Sequence, residues 1–129
     1  MAAFTHTLQL TWAGGGATGS DTSTLTGDAE YNITATVVDT STDLEIACVI
    51  DVSEIQCIYV NSDYAMLLEI NDNVGGGGSI NLLADVPYIW WAGSYLVNLL
   101  AVDVTAIFLT NASGSDATFT LRCVVDPTP

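Results

Sequence analysis

The sequence predicts an all-β domain, a β-sandwich or jelly roll built from two similar strand-turn-strand units. Three observations carry that prediction. Apolar residues alternate with Thr, Ser, Asn and Asp at period two in several short runs, as half-buried strands require. Turn signals made of Gly, Asn, Asp and Pro recur about every ten residues, and no convincing helix is present. One pattern also occurs twice. Ile50-Asp51-Val52-Ser53-Glu54-Ile55 leads into Gln56-Cys57-Ile58-Tyr59-Val60-Asn61-Ser62, and Val102-Asp103-Val104-Thr105-Ala106-Ile107 leads into Phe108-Leu109-Thr110-Asn111-Ala112-Ser113. Each copy stops at an Asn-containing turn, and a second apolar run follows, residues 64–70 and 118–125.

The 129 residues suffice for a single β-sandwich domain, 1–129, with 1–20 as an N-terminal strand or arm plus a Gly-rich loop. Phe4, His6, Leu8, Leu10 and Trp12 share one face of the first strand, and Thr and Gln occupy the other. Ala13-Gly14-Gly15-Gly16-Ala17-Thr18-Gly19-Ser20 then breaks regular structure, because glycine runs cost ordering entropy and tolerate positive φ. No Lys-Ser or Lys-Thr pair follows, so a phosphate cradle is not expected there. Tyr31, Ile33, Ala35 and Val37 alternate inward, and Asp39-Thr40-Ser41-Thr42-Asp43 is a polar turn. Residues 44–50 and 64–70 are strands that become apolar on both faces. Ile80-Asn81-Leu82-Leu83 is a short strand, while residues 96–101 fit a strand or a helical turn equally well. Phe119, Leu121, Cys123 and Val125 alternate inward in the last strand, with Arg122 on the opposite face. Asp126-Pro127-Thr128-Pro129 ends the sheet, since Pro cannot donate to a ladder.

Charge excludes whole classes of function. Fifteen acids face one Arg and no Lys, for a net charge of -14. Binding DNA or RNA needs Lys and Arg to displace phosphate counterions, and adhesion to an anionic membrane needs them too. Neither nucleic acid nor membrane is therefore an expected partner. The apolar runs are too short to span a bilayer. The first residues lack a cationic n-region and a long apolar h-region, so synthesis and folding in cytosol are expected. Cys48, Cys57 and Cys123 agree: they are odd in number, lack metal-type spacing and sit in apolar runs, as free buried thiols do.

No constellation specifies a reaction, so no catalytic, cofactor or metal residue is assigned and an enzyme is not expected. His6 reads as a packed or rim histidine. Asp51 and Asp103 recur at matching positions. That favours local acceptance of backbone N–H bonds, aided by Ser53 or Thr105, over a catalytic pair. Asn71-Asp72-Asn73 offers oxygens of the kind calcium takes but lacks the spaced acids of an EF-hand. Tyr88, Trp90 and Trp91 concentrate aromatics beside Pro and Gly. Two readings compete there, a platform for sugar and, the favoured one, a core Trp beside a Trp in a subunit contact. Trp90 and Trp91 point to opposite faces if extended. Arg122 is expected to grip an Asp or Glu near a subunit contact, because its planar fork suits carboxylates. Strands apolar on both faces call for a second covering layer, and a closed homotrimer would supply it.

Thr42-Asp43-Leu44-Glu45-Ile46, Asp51-Val52-Ser53-Glu54-Ile55, Asn61-Ser62-Asp63, Pro87-Tyr88-Ile89-Trp90 and the stretch from Asp103 to Asn111 resemble short proteins of tailed-phage structural gene clusters. The closing Asp126-Pro127-Thr128-Pro129 is similar too. Such proteins resemble capsid decoration, or cement, proteins. The resemblance implies a β-rich, often trimeric protein on the outside of a phage head, assembled in host cytoplasm against the major capsid or another virion protein. It carries over no catalytic residues. The chain departs from it in having no clear capsid-gripping arm beyond the N-terminal strand and its glycine loop. The alternative function is a carbohydrate-binding β-sandwich that uses Tyr88, Trp90 and Trp91.

Overall fold

The computed structural model describes residues 4–12, 16, 19–74 and 76–126, apart from the side chains of Phe4 and Trp12. Most of the first glycine loop and the closing residues 127–129 thus lie outside the described residues. The chain is all-β. Strands β1 (Phe4–Trp12) and β2 (Gly19–Gly27) form a hairpin. Strands β3 (Ala29–Val37), β4 (Leu44–Ile50), β5 (Ile55–Ser62), β6 (Met66–Ile70), β7 (Ser79–Leu82), β8 (Tyr88–Trp91), β9 (Val104–Thr110) and β10 (Ala117–Val125) follow. They fill two antiparallel four-stranded sheets, ordered β3-β10-β5-β8 and β4-β9-β6-β7.

The register explains how one chain makes both sheets. Four nested pairs, β3·β10, β4·β9, β5·β8 and β6·β7, form one long antiparallel ribbon. The ribbon is wound so that β10 also meets β5 and β9 also meets β6. That is the strand order of a jelly roll. The two winding pairs are also the contacts between the two sequence units, since β5 and β6 form the first and β9 and β10 the second.

Between the sheets lies the core that the alternation predicts. Phe119, Ile50, Ile58, Leu68, Ile107 and Leu109 are fully buried there, each contributing about 1.5–3 kcal/mol by burial. Tyr31 and Ile33 pack against them from β3, as expected. The outward side of β4 is uncovered within the chain: Ala47 is exposed and Val49 is 67% exposed.

Two local readings are corrected. Residues 19–27 form a strand that pattern reading left out, because Thr and Ser on both faces leave no apolar alternation. The lead-in of the first unit is a 3-10 turn, Val52–Glu54, whereas the matching residues of the second already belong to β9.

The hairpin folds back on the outer face of the β3-β10-β5-β8 sheet. Gly27 permits the close approach: a Cβ there would come within 2.3 Å of the Val125 carbonyl oxygen. Leu25 is buried at this base, while Gln9, Leu10, Thr11 and Gly19 to Thr22 are exposed. The hairpin is thus anchored at its base and projects at its far end.

Candidate functional site

The aromatic residues of β8 divide as the strand period demands. Tyr88 and Trp90 pack toward the core, and Ile89 and Trp91 occupy the other face. The inward pair organises the segment that follows, residues 92–103. The Trp90 indole N–H donates to the Leu96 carbonyl at 2.9 Å. The Tyr88 hydroxyl donates to Asn98 Oδ1 at 2.5 Å and accepts the Leu99 N–H at 2.8 Å. Burial pushes the Tyr88 hydroxyl up, and the Leu99 bond partly offsets it. Gly93, at φ 89°, makes the turn that starts this strap. The strap is neither the strand nor the helical turn that residues 96–101 allowed. Leu100 dips into the core, while Tyr95, Leu96, Val97 and Leu99 face solvent, Tyr95 and Val97 at 107% and 84% exposure. Leu83 and Val86, in the turn before β8, are exposed as well.

The repeated acids serve the backbone. Asp51 Oδ1 accepts from the Ser53 N–H at 2.9 Å and the Ser53 hydroxyl at 2.6 Å, capping the 3-10 turn. Those bonds hold its carboxyl below the usual Asp range. Asp103 Oδ1 instead accepts from the Val52 N–H at 3.0 Å, tying the second unit to the first. The partner of Thr105 comes from another loop: Asn71 Oδ1 takes the Thr105 N–H at 2.7 Å and hydroxyl at 3.1 Å, while its Nδ2 donates to the Asp103 carbonyl. Asp72 Oδ1 accepts from the Val74 and Gly76 N–H groups. The Asn71-Asp72-Asn73 loop therefore turns oxygens toward its own chain. Among the described residues no group of three or more His, Cys, Asp or Glu side chains could hold a metal ion.

Pattern reading missed the place where chemistry-bearing side chains do converge. Between the hairpin and the outer face of the β3-β10-β5-β8 sheet is a cleft of about 240 Å³. His6, Leu8 and Leu25 come from the hairpin, Glu30 and Asn32 from β3, Cys57 and Tyr59 from β5, and Arg122 and Val124 from β10. Register places Asn32, Arg122 and Tyr59 side by side on the sheet. His6 Nε2 lies 2.9 Å from Glu30 Oε2, and Glu30 Oε1 accepts from Asn32 Nδ2 at 3.1 Å. Arg122 reaches neutral acceptors: the Ile33 carbonyl at 2.9 Å, the Leu121 carbonyl at 3.0 Å and the Thr34 hydroxyl at 3.1 Å. Among the described residues it pairs with no carboxylate of its own chain. The one available signal was compositional: the single His and single Arg of an acidic chain both face outward near the same sheet.

The cysteines are free. Cys48 and Cys123 are buried, and burial pushes the Cys123 thiol up to about 12. Cys57 differs from expectation in facing outward, half-buried under the hairpin, with its thiol also raised by burial. On the outer face of the other sheet, Glu69 is buried beside Phe108. Burial first, and then the Asp43 carboxylate, raise its carboxyl. No family model matches the chain, and comparison with curated proteins and with solved structures finds no match either.

Proposed function

We propose that this chain is a virion structural protein, a capsid decoration or cement protein of a tailed phage that works through protein–protein contacts as a homo-oligomer, with a trimer as the expected ring. The observation that carries this reading is where apolar groups meet solvent. Tyr95, Leu96, Val97 and Leu99 stand out from one strap, with Leu83 and Val86 on the preceding turn. Several exposed apolar side chains on one strap of an otherwise acidic, Thr-rich protein suit contact with another protein. The uncovered Val49 face of β4 suits contact between copies. The anchored, projecting hairpin supports the role of an arm, since a lone two-stranded ribbon is marginal in water and gains stability from a surface beneath it.

Mass spectrometry of purified virions from a phage carrying this gene is the direct test. The chain is expected at a stoichiometry comparable with the head proteins, and its absence would end the proposal. Light scattering at micromolar concentration is expected to give an oligomer, and Val97→Asp together with Leu99→Asp to weaken head binding. A clean monomer would count against the ring.

The carbohydrate-binding alternative draws less support, because the Trp90 indole N–H and the Tyr88 hydroxyl are engaged in holding the strap. Trp91 remains on the outer face, and quenching of its fluorescence on a glycan panel would revive that reading.

A further inference from the structure

We infer that the cleft beneath the hairpin is a binding site for a small organic monocarboxylate, a single carboxylate carried on a short apolar body. The inference is independent of the virion reading.

The cleft is built rather than incidental. At about 240 Å³ it exceeds the ~10–15 Å³ that a single water needs. Gly27 pins the hairpin base against β10, and the His6–Glu30 contact props the ribbon farther along. The space runs beneath the ribbon from Leu25 near the base, past His6, to Leu8.

Its chemistry is the inverse of the rest of the surface. The chain has one Arg, one His and no Lys against fifteen acids, and both the Arg and the His line this cleft. The Arg122 charge meets only neutral oxygens. A guanidinium carries five donors. Three bonds leave two N–H groups, Nε–H and one on Nη2, to donate to a carboxylate. Glu30, the one acid on the wall, is already held by His6 and Asn32. His6 Nδ1 is buried without a hydrogen-bond partner, a second polar demand at the same wall. Thr7, Cys57, Tyr59 and Cys123 complete the lining with Leu8, Leu25 and Val124, and most of its surface is apolar.

These features choose the ligand class. An apolar wall disfavours inorganic phosphate and free sugar. One cation supports one negative charge, and the surrounding net charge of -14 penalises polyanions such as nucleotides, an effect that salt screens over about 10 Å at 0.1 M. A benzoate-sized monocarboxylate fits the single charge and the apolar wall, with its carboxylate on Arg122 and its apolar body between Leu8, Leu25 and Val124.

The test uses the full chain, ¹⁵N-labelled and titrated with sodium benzoate and, separately, with benzamide, its neutral counterpart. Benzoate is expected to give saturable shifts at His6, Tyr59 and the Arg122 Nε–H, with benzamide at least tenfold weaker. Arg122→Met keeps the stem and is expected to weaken benzoate at least tenfold. Should that variant misfold, Leu8→Trp, which fills the half-buried wall, is expected to do the same. Equal binding of benzamide, shifts confined to the strap, or unchanged affinity in either folded variant would overturn the inference. So would an Arg122→Met protein that loses its oligomer while the wild type ignores benzoate, because the carboxylate partner would then be a neighbouring copy.

Discussion

The two sequence units are alike in pattern and unlike in what they carry. Each ends a strand at an Asn-containing turn where the ribbon crosses between sheets. In the second unit that Asn is Asn111, fully buried. Its Nδ2 donates to the carbonyls of Val37 and Ser115, both at 2.8 Å, and its Oδ1 accepts from the Ser113 N–H and hydroxyl. Its backbone bonds Thr40 and Ser41 across the turn between β3 and β4. In the first unit Asn61 is half-buried on the outer face, and its Oδ1 is buried with no partner. The corresponding turn is held by its neighbours instead: the Ser62 carbonyl accepts the Asp85 N–H, and Asp63 Oδ1 accepts the Thr118 N–H at 2.7 Å. A repeated pattern therefore specifies a chain reversal but not which side chain secures it. Position in the wound ribbon decides that: the second crossing meets the turn between β3 and β4 through Asn111, and the first meets the turn between β7 and β8 through the Ser62 carbonyl.

The largest effect expected from breaking this contrast is at Asn111. Asn111→Ala orphans the buried Val37 carbonyl and breaks the partly buried bonds to the Ser115 carbonyl and the Ser113 N–H, at a cost on the order of 3 kcal/mol in denaturant unfolding. Asn111→Asp keeps the shape but turns acceptors toward the Val37 and Ser115 carbonyls, and is expected to be at least as damaging. A loss below about 1 kcal/mol in both would show that the turn is held elsewhere.

The lead-ins repeat the lesson at the other end of the sandwich. Asp51 caps its own turn, whereas Thr105 is capped by Asn71 from another loop. Asn71 also sits at φ 71°, where Asn and Gly are tolerated best. Asn71→Ala removes the side-chain bonds and strains the backbone, at a cost of about 2 kcal/mol. Asn71→Gly relieves the strain alone and is expected to recover about 1 kcal/mol of that. Equal losses for Ala and Gly would mean that the bonds carry everything.

How much of this was legible follows from the same contrast. Period-two alternation in β3 and β10 exposes the core, and Tyr31, Ile33, Phe119 and Leu121 lie where it places them. The Asx role of Asp51 was readable because its partner is two residues away. The nested strand order was not readable, since nothing local says that β10 pairs with both β3 and β5. Strand β2 was silent because Thr suits a pleated surface on either face and leaves no apolar phase. The hairpin cleft was unreadable for the topological reason: His6, Glu30, Tyr59 and Arg122 meet only after the ribbon is wound and the hairpin folds back.

Two acids of the first unit respond to pH in opposite directions. The folded state holds the Glu69 proton more tightly than the unfolded chain does. Its stabilising contribution is therefore full below the ordinary Glu value of 4.5 and is lost as pH rises through the raised folded value. Asp51 is the reverse case: its contribution is present above the ordinary Asp value of 3.8 and is lost as pH falls through the lowered one. Thermal melts against pH should show Glu69→Gln flattening the decline that begins as pH rises past the ordinary Glu value, and melting higher than wild type at neutral pH. Asp51→Asn should remove only part of the acid limb. Parallel profiles for wild type and both variants would remove these carboxyls from the account.

The smallest expected effect is also the one that most sharpens the comparison. Asn61 faces Thr120 across the sheet, on the outward side where Thr34, Thr36 and Thr118 stand exposed. Its Oδ1 has no partner and is buried, so the side chain forfeits a bond that water would supply in the unfolded chain. Asn is also poorly suited to strand interiors, whereas the β-branched Thr suits them well. Asn61→Thr removes the orphaned carbonyl oxygen and leaves a hydroxyl that can rotate toward Thr120, since Thr–Thr pairs across strands are favourable. A gain of up to about 1 kcal/mol is expected, read by denaturant unfolding at unchanged m-value. The same substitution at Asn111 should be severely destabilising, because Thr cannot supply two N–H donors to the Val37 and Ser115 carbonyls. A loss at Asn61 comparable with that at Asn111 would mean that the two turns are held alike after all, and that the burial difference between them does not govern their stability.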